Sequence, residues 1–316
     1  MEAPLLLFFL DICFVDVRYF IKQKTIKREK KENKMAKIPN FIHNTDIGQN
    51  FLIDHSIVDF MIGRAKLTSE DKVLEIGPGE GILTEGLLST ECSGVCTVEL
   101  DTRLKHTIDM LAIKDSRLHP LWGDAVQFDY ENKLPWMPNR VIANLPYHIT
   151  TPLLWVFLEK LVPCGLNYML LMVQLESAQR ITSPSGHRER SPLGITVEAM
   201  GASTILRSVP PCAFRPQPRV NSCIIEIKIE NDRTLACNRT WRGLMSRSFT
   251  QRRKTLINNW ISGYADIDRD KALEILERNE LKPTARAEEL SLDTWRRLSQ
   301  EPIFYLKPKD QKETEK

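Results

Sequence analysis

The sequence predicts an α/β domain built on a mostly parallel sheet, followed by a small all-helical domain. Three observations carry that reading. From about Asp71 to Ile229 short apolar runs alternate with helical stretches, and a glycine-rich turn follows the first run directly. After Thr240 the apolar spacing turns helical, with Trp241, Leu244, Phe249, Leu256 and Trp260 on alternating turns.

Each element has its own signal. Lys72–Ile76 (KVLEI) is short, aliphatic and closed by Gly77, which marks a first buried strand. Gly94–Val98 reads as the second strand, Arg117–Leu121 and Arg140–Ala143 as the third and fourth, and Asn167–Gln174 as a longer apolar one. Ala202–Val209 and Ser222–Ile229 alternate as late, partly exposed strands do. Ile82–Leu88, Asp101–Leu111 and Pro152–Leu161 supply helices between them. Beyond Thr240 the helical reading includes Gln251–Lys254, then Ala272–Arg278 and Leu292–Leu298, and the tail after Lys307 is charged. The expected organisation is 35–230 for the α/β domain, 231–309 for the helical domain and 310–316 for the tail.

A chain of 316 residues accommodates one large and one smaller domain. Its 42% hydrophobic and 27% charged residues are ordinary for a globular protein, so composition alone assigns no activity. Residues 1–34 hold eight of the 44 basic and five of the 41 acidic residues, so the remainder carries 36 of each sign. A nucleic-acid partner would therefore need a local basic patch. One lies between Cys237 and Tyr264, where Arg239, Arg242, Arg247, Arg252, Arg253 and Lys254 occur without an acid; a solvated helix face explains it equally well. The seven cysteines form no CxxC pair and have no histidine at ligand spacing, which points to free thiols in a reducing compartment and no metal site.

Residues 5–15 (LLLFFLDICFV) are apolar, but Glu2 precedes the run, Asp11 breaks it and Asp16 closes it. That order does not suit a signal peptide, and the run is too short and acidic to span a membrane comfortably. No stable membrane association is expected. Residues 1–34 read best as upstream sequence ahead of a start at Met35, with a weakly anchored or disordered extension as the alternative.

Four motifs fall at consecutive strand ends, where open α/β sheets bind ligands. Glu75–Gly81 (EIGPGEG) lets the backbone turn sharply and approach a ligand at a helix N-terminus. Dinucleotide enzymes and plain tight turns use similar runs, but the spacing departs from G-x-G-x-x-G and leans towards a nucleoside ligand without a pyrophosphate. Glu99, 22 residues after Gly77, is placed to accept both hydroxyls of a ribose. Asp124, after Gly123, suits either an adenine amino group or a helix N-cap. Asn144-Leu145-Pro146-Tyr147 follows the fourth strand. An exocyclic adenine nitrogen is a poor nucleophile, because its lone pair is delocalised into the ring. It attacks a methyl group only when its hydrogens are held by acceptors, and the Asn144 side-chain oxygen and the Leu145 carbonyl can be those acceptors. Pro146 stiffens the turn and Tyr147 offers a face for base stacking.

With these motifs in order, the chain resembles the KsgA-type rRNA adenine dimethyltransferases from Gly48-Gln49-Asn50-Phe51-Leu52 to about Leu298. The likeness includes Asn144–Leu154 (NLPYHITTPLL), Ala213–Val220 (AFRPQPRV, similar to the family's F-x-P-x-P-x-V), Ser248–Thr255 (SFTQRRKT) and Arg286–Leu290 (RAEEL). It implies a Rossmann-like class I methyltransferase sheet with a small C-terminal all-helical domain. It implies S-adenosyl-L-methionine as cofactor, bound by Gln49, Asn50, Leu52, Gly77, Gly79, Glu99, Asp124 and Asn144. The target adenine is expected between Tyr147 and Phe214, with Phe214 on an exposed loop between prolines, and Asn144, Leu145 and Pro146 beside it. Arg247, Arg252, Arg253 and Lys254 are expected to bind RNA. The implied substrate is two neighbouring adenosines in a 3′-terminal hairpin loop of small-subunit rRNA, free or in a pre-assembled small ribosomal subunit. A cytoplasmic monomer is the default. The alternatives are a class that dimethylates one large-subunit rRNA adenosine and confers antibiotic resistance, and a non-catalytic RNA-binding relative. Thr182–Pro192 (TSPSGHRERSP) departs from the family by lacking a Tyr-Gly pair near Arg190–Leu193, in a loop expected to border the RNA.

Overall fold

The structure, a computed structural model, describes residues 49–305, all within one compact unit, Asn44–Lys316. The expected extension 1–34 and tail 310–316 lie outside the described residues. A short strand β1 (Phe51–Leu52) precedes helix α1 (His55–Ala65), whose N-cap Asp54 accepts the Ser56 N–H at 2.9 Å. Then come β2 (Lys72–Ile76), α2 (Ile82–Leu88), β3 (Gly94–Glu99), α3 (Lys105–Lys114), β4 (Leu118–Trp122) and the single turn α4 (Tyr130–Lys133). β5 (Arg140–Asn144) leads into α5 (Thr150–Val156), which continues as a π-helical turn over Phe157–Leu161. β6 (Tyr168–Gln174), α6 (Leu175–Thr182), α7 (Pro192–Met200), β7 (Gly201–Val209), β8 (Phe214–Arg215) and β9 (Ser222–Ile229) complete the α/β part. The chain closes with α8 (Arg239–Ser248), α9 (Leu256–Gly263), α10 (Arg269–Arg278) and α11 (Leu292–Leu298).

Seven strands form one sheet in the order β4-β3-β2-β5-β6-β9-β7, and β1 pairs with β8 in a separate antiparallel ribbon. The first five are parallel, each joined to the next in sequence through helical turns, and β9 runs antiparallel to both β6 and β7. Apolar side chains fill both faces: α1, α2 and α3 pack on one, and α5, its π-helical turn and α6 on the other. The expectation that Ser222–Ile229 is partly exposed is corrected. β9 is buried everywhere but Lys228, because it lies inside the sheet with β7 taking the edge, and its two faces join the two cores.

The C-terminal helices have their own core, built on the buried tryptophans Trp241, Trp260 and Trp295. Ile195 and Ala199 of α7 belong to it, and the Trp241 indole donates to Thr196 Oγ1 at 2.9 Å, which seats these helices on the α/β part. Arg242 adds a second seat by stacking over Trp155 of α5, 3.9 Å from the ring centroid. Gln251–Lys254 is not helical as expected but forms the turn between α8 and α9. Buried Asn259 stops the helix: its Nδ2 donates to Ser248 O (2.8 Å) and Gln251 O (3.2 Å), and its Oδ1 accepts the Gln251 N–H at 3.2 Å. The six described cysteines are free thiols. Among the described residues no helix is long and apolar enough to cross a membrane.

Candidate active site

The strand order places the sheet's switch point between β2 and β5, where the chain leaves the centre one way and returns on the other side. A cleft opens there, lined by Gly77 after β2, Glu99 at the end of β3, Gly123 and Asp124 after β4, and Asn144 at the end of β5. Gln49, Asn50 and Phe51 close it from one side, and Pro146, Tyr147, His148 and Ile149 from the other. Leu52 and Gly79 face an adjoining recess that shares Phe51, Gly77 and Asn144 with the cleft. Leu100, 53% exposed, also lines the cleft, and nothing in the sequence singles it out.

The glycine loop is shaped by backbone conformation and by close approach. Gly77 and Gly79 have φ of 65° and 59°, and a Cβ on Gly79 would lie 2.7 Å from the Phe51 ring. The Gly79 N–H donates to Glu99 Oε2 at 3.3 Å, and the Asp101 N–H donates to Oε1 at 2.8 Å. Burial pushes the Glu99 carboxyl above its ordinary range, while these donors pull it back. Behind the loop Glu75, 1% exposed, accepts the Thr84 hydroxyl at 2.7 Å. Burial, reinforced by the charge on Glu99, pushes Glu75 up to about 8, so it is mostly neutral at pH 7. Asp101 is held at about 2 by Arg103, with help from Gln49, whose Nε2 donates to it at 2.6 Å. Asp124 is exposed and its Oδ1 accepts the Val126 N–H at 2.9 Å, so it caps the turn after β4 while lining the cleft.

At the end of β5, Asn144 Nδ2 donates to the Asn50 carbonyl at 3.2 Å. Two carbonyl oxygens would repel, so this contact fixes which way the amide points and leaves Oδ1 as an acceptor. Leu145 is buried; its N–H donates to Met172 O at 3.0 Å, and its carbonyl accepts no hydrogen bond among the described residues. The Pro146 carbonyl accepts the Ile149 N–H and the Thr150 hydroxyl, both at 3.3 Å, which sets the single 3₁₀ turn Tyr147–Ile149. Tyr147 lines the cleft, and its hydroxyl lies 2.7 Å from Ser222 Oγ. Burial holds the phenol above its ordinary pKa, so it stays neutral.

Phe214 departs from expectation. It is 1% exposed and packs in the core with Leu52, Ile57 and Ala213 rather than standing on an open loop. The cause is the β1–β8 ribbon, which pairs Phe51 with Arg215 and Leu52 with Phe214 and so turns the ring inward.

The basic residues divide into two groups. Arg252, Arg253 and Lys254 are exposed on the α8–α9 turn, and Arg252 Nη2 donates to Arg190 O at 2.5 Å. Arg247 instead donates to Gly263 O at 2.8 Å and stacks 4.7 Å over Tyr264, which makes it a brace between α8 and α9. A groove lined by Thr151, Trp155, Arg180, Pro192, Phe249 and Arg252 connects the basic turn to α5, the helix that follows Tyr147. The atypical loop reaches the C-terminal helices as well, through a Gly186 N–H donated to Glu288 O at 2.8 Å.

Comparison with known proteins follows the same outline. The pattern of the family described as ribosomal RNA adenine dimethylase matches residues 40–300. The ribosomal RNA small subunit methyltransferase A of Alkaliphilus metalliredigens is 33% identical, over 83% of this chain and 92% of its own length. The protein of the same name from Clostridioides difficile is 32% identical, over 82% and 91%. Two solved structures share the fold: a dimethyladenosine transferase from Plasmodium falciparum (TM-score 0.66, 24% identity, 78% of this chain and 95% of that one), and the 23S rRNA methyltransferase ErmE (TM-score 0.59, 21% identity, 79% and 98%). With that match spanning the sheet, the cleft and the C-terminal helices, this chain belongs to the ribosomal RNA adenine dimethylase family and is an rRNA methyltransferase of Rossmann-like fold.

Proposed function

We propose that this protein transfers methyl groups from S-adenosyl-L-methionine to the N6 amino groups of two adjacent adenosines in the 3′-terminal hairpin loop of small-subunit rRNA, two to each base. The observation that carries the reading is the end of β5, where the Asn144 amide, fixed by the Asn50 carbonyl, lines the same cleft as the Tyr147 ring, and between them in the chain the Leu145 carbonyl accepts no hydrogen bond among the described residues.

The residues present fit the cofactor. Glu99 accepts ribose hydroxyls, Asp124 an adenine amino group, and the glycines at 77 and 79 let the loop turn at the cleft edge against the Phe51 ring. When bound, S-adenosyl-L-methionine supplies an electrophilic methyl group on a positively charged sulfur. Tyr147 stacks the target base and Pro146 limits movement of the turn. Asn144 Oδ1 and the Leu145 carbonyl accept the two amine hydrogens and direct the nitrogen lone pair at the methyl carbon. No strong base is needed, because the methylated nitrogen is cationic and loses its proton readily. Phe214 supports this wall from the core. Arg252, Arg253 and Lys254 hold phosphates, and the groove they adjoin runs along α5, the helix that follows Tyr147. The protein acts as a cytoplasmic monomer.

The test is transfer of labelled methyl groups to isolated small and large ribosomal subunits that lack their adenine methylations, with the modified positions mapped. Dimethylation of two adjacent small-subunit adenosines is expected. Label confined to the large subunit would move the protein to the resistance class, and no label in either would make it a non-catalytic relative.

A further inference from the structure

Tyr147 presents its ring to the cleft, but its hydroxyl is turned into the protein onto Ser222 Oγ, 2.7 Å away. Ser222 is 0% exposed and opens β9. Because β9 runs antiparallel to β6, its first residue lies at the same end of the sheet as the cleft. The backbone there is paired on both sides, opposite Gln174 of β6 and Val209 of β7. Ser222 is thus a hydroxyl on a rigid ladder. Tyr147 is carried by a single 3₁₀ turn, and its ring orientation depends on what its far end touches.

We infer that Ser222 is a positioning residue for methyl transfer, acting through the Tyr147 hydroxyl, and that the second methyl group depends on it most. The inference rests on the function proposed above. In each transfer a bond forms between N6 and the methyl carbon as the carbon–sulfur bond breaks. The electron pair leaves with sulfur, and one N6 proton passes to solvent. Before the first transfer the amine carries two hydrogens, and Asn144 Oδ1 and the Leu145 carbonyl can align both. Before the second it carries one, so one of those hydrogen bonds is gone. Alignment then falls more heavily on the stacked ring, and a Tyr147 free to tilt misplaces the monomethylated base more than the unmodified one.

The experiment compares the full chain with Ser222→Ala, Tyr147→Phe and the double variant, on small subunits lacking the modification, counting mono- and dimethylated adenosine separately. Ser222→Ala is expected to lower kcat about tenfold with KM for the particle unchanged within about twofold, and to make N6-monomethyladenosine a major product. Tyr147→Phe should show the same product shift, and adding Ser222→Ala to it should change the rate by less than about twofold, since the two hydroxyls act as one unit. Tyr147→Phe also carries the test if Ser222→Ala fails to fold. A folded Ser222→Ala with the wild-type product ratio and kcat overturns the inference, as does an undiminished Ser222→Ala effect in the Tyr147→Phe background. If the wild type itself leaves small subunits unmethylated, the proposed function falls and takes this inference with it. If the wild type dimethylates them and every variant does so equally, Ser222 alone is ruled out.

Discussion

Replacing Asn144 by alanine removes an acceptor from the target amine and a donor from the Asn50 carbonyl, 3.2 Å away. The two losses differ in size and in readout. One preorganised acceptor at a reacting centre is worth about 10²–10³ in kcat, or ~3–4 kcal/mol of barrier. One part-buried amide–carbonyl hydrogen bond contributes ~1 kcal/mol to folding, which moves Tm by about 2–4 °C in a domain of this size. Asn144→Ala should therefore remain folded and bind RNA as before while turnover nearly stops. Asn144→Asp sharpens the test: it keeps acceptor oxygens but sets a carboxylate against the Asn50 carbonyl, so the side chain turns away and kcat falls as far as with alanine. The assay is single-turnover methyl transfer at saturating substrate, alongside RNA binding measured by filter retention. A kcat loss below about threefold, or an equal loss of RNA affinity, would refute an orienting role for this amide.

Three further outcomes follow from the site. Glu75, raised to about 8, is protonated in the fold while its unfolded counterpart ionises near 4.5, so its own contribution to stability is fully present below about pH 4.5 and is lost as pH rises to about 8. Glu75→Gln should escape this loss, on the order of 4 kcal/mol, and its Tm should gain about 10 °C on the wild type between pH 5 and pH 8; parallel Tm profiles would show that Glu75 does not titrate this way. Paired reversal of Arg253 and Lys254 to glutamate should flatten the salt dependence of RNA affinity by about 1.5 in log–log slope, and an unchanged slope would remove the turn from the RNA interface. Gly79→Ala, at φ 59° and against Phe51, should weaken S-adenosyl-L-methionine binding about tenfold or more in equilibrium dialysis; unaltered binding would separate the loop from the cofactor.

The strands of the sheet were legible because a buried parallel strand is a short, mostly aliphatic run, and KVLEI at Lys72–Ile76, with Val73, Leu74 and Ile76 buried, matches β2 to the residue. The four strand-end motifs converge for the same reason, since the ends of parallel strands share one edge. Where the reading failed, a distant partner decided the outcome. Period-two alternation in Ser222–Ile229 does not say whether another strand will take the edge beyond it, and β7 does. Gln251–Lys254 has good helix formers and no Gly or Pro, yet Asn259 ends the helix from the next element. Prolines after Phe214 suggest an open loop, but pairing with Leu52 buries the ring. The Asn50–Asn144 and Tyr147–Ser222 contacts leave no local signature, because each joins segments far apart in sequence.

The β1–β8 ribbon also constrains the order in which the protein becomes competent. Leu52 finds its partner only at Phe214, roughly 160 residues later in synthesis. At about 5–20 residues per second, the segment carrying the Asn50 carbonyl waits about 10–30 s on the ribosome before its strand can close. Until then the Asn144 amide is without the backing of that ribbon. A nascent chain truncated before residue 214 lacks β8 and with it the pairing that holds β1, so on the function proposed above activity is expected only after that segment has been made.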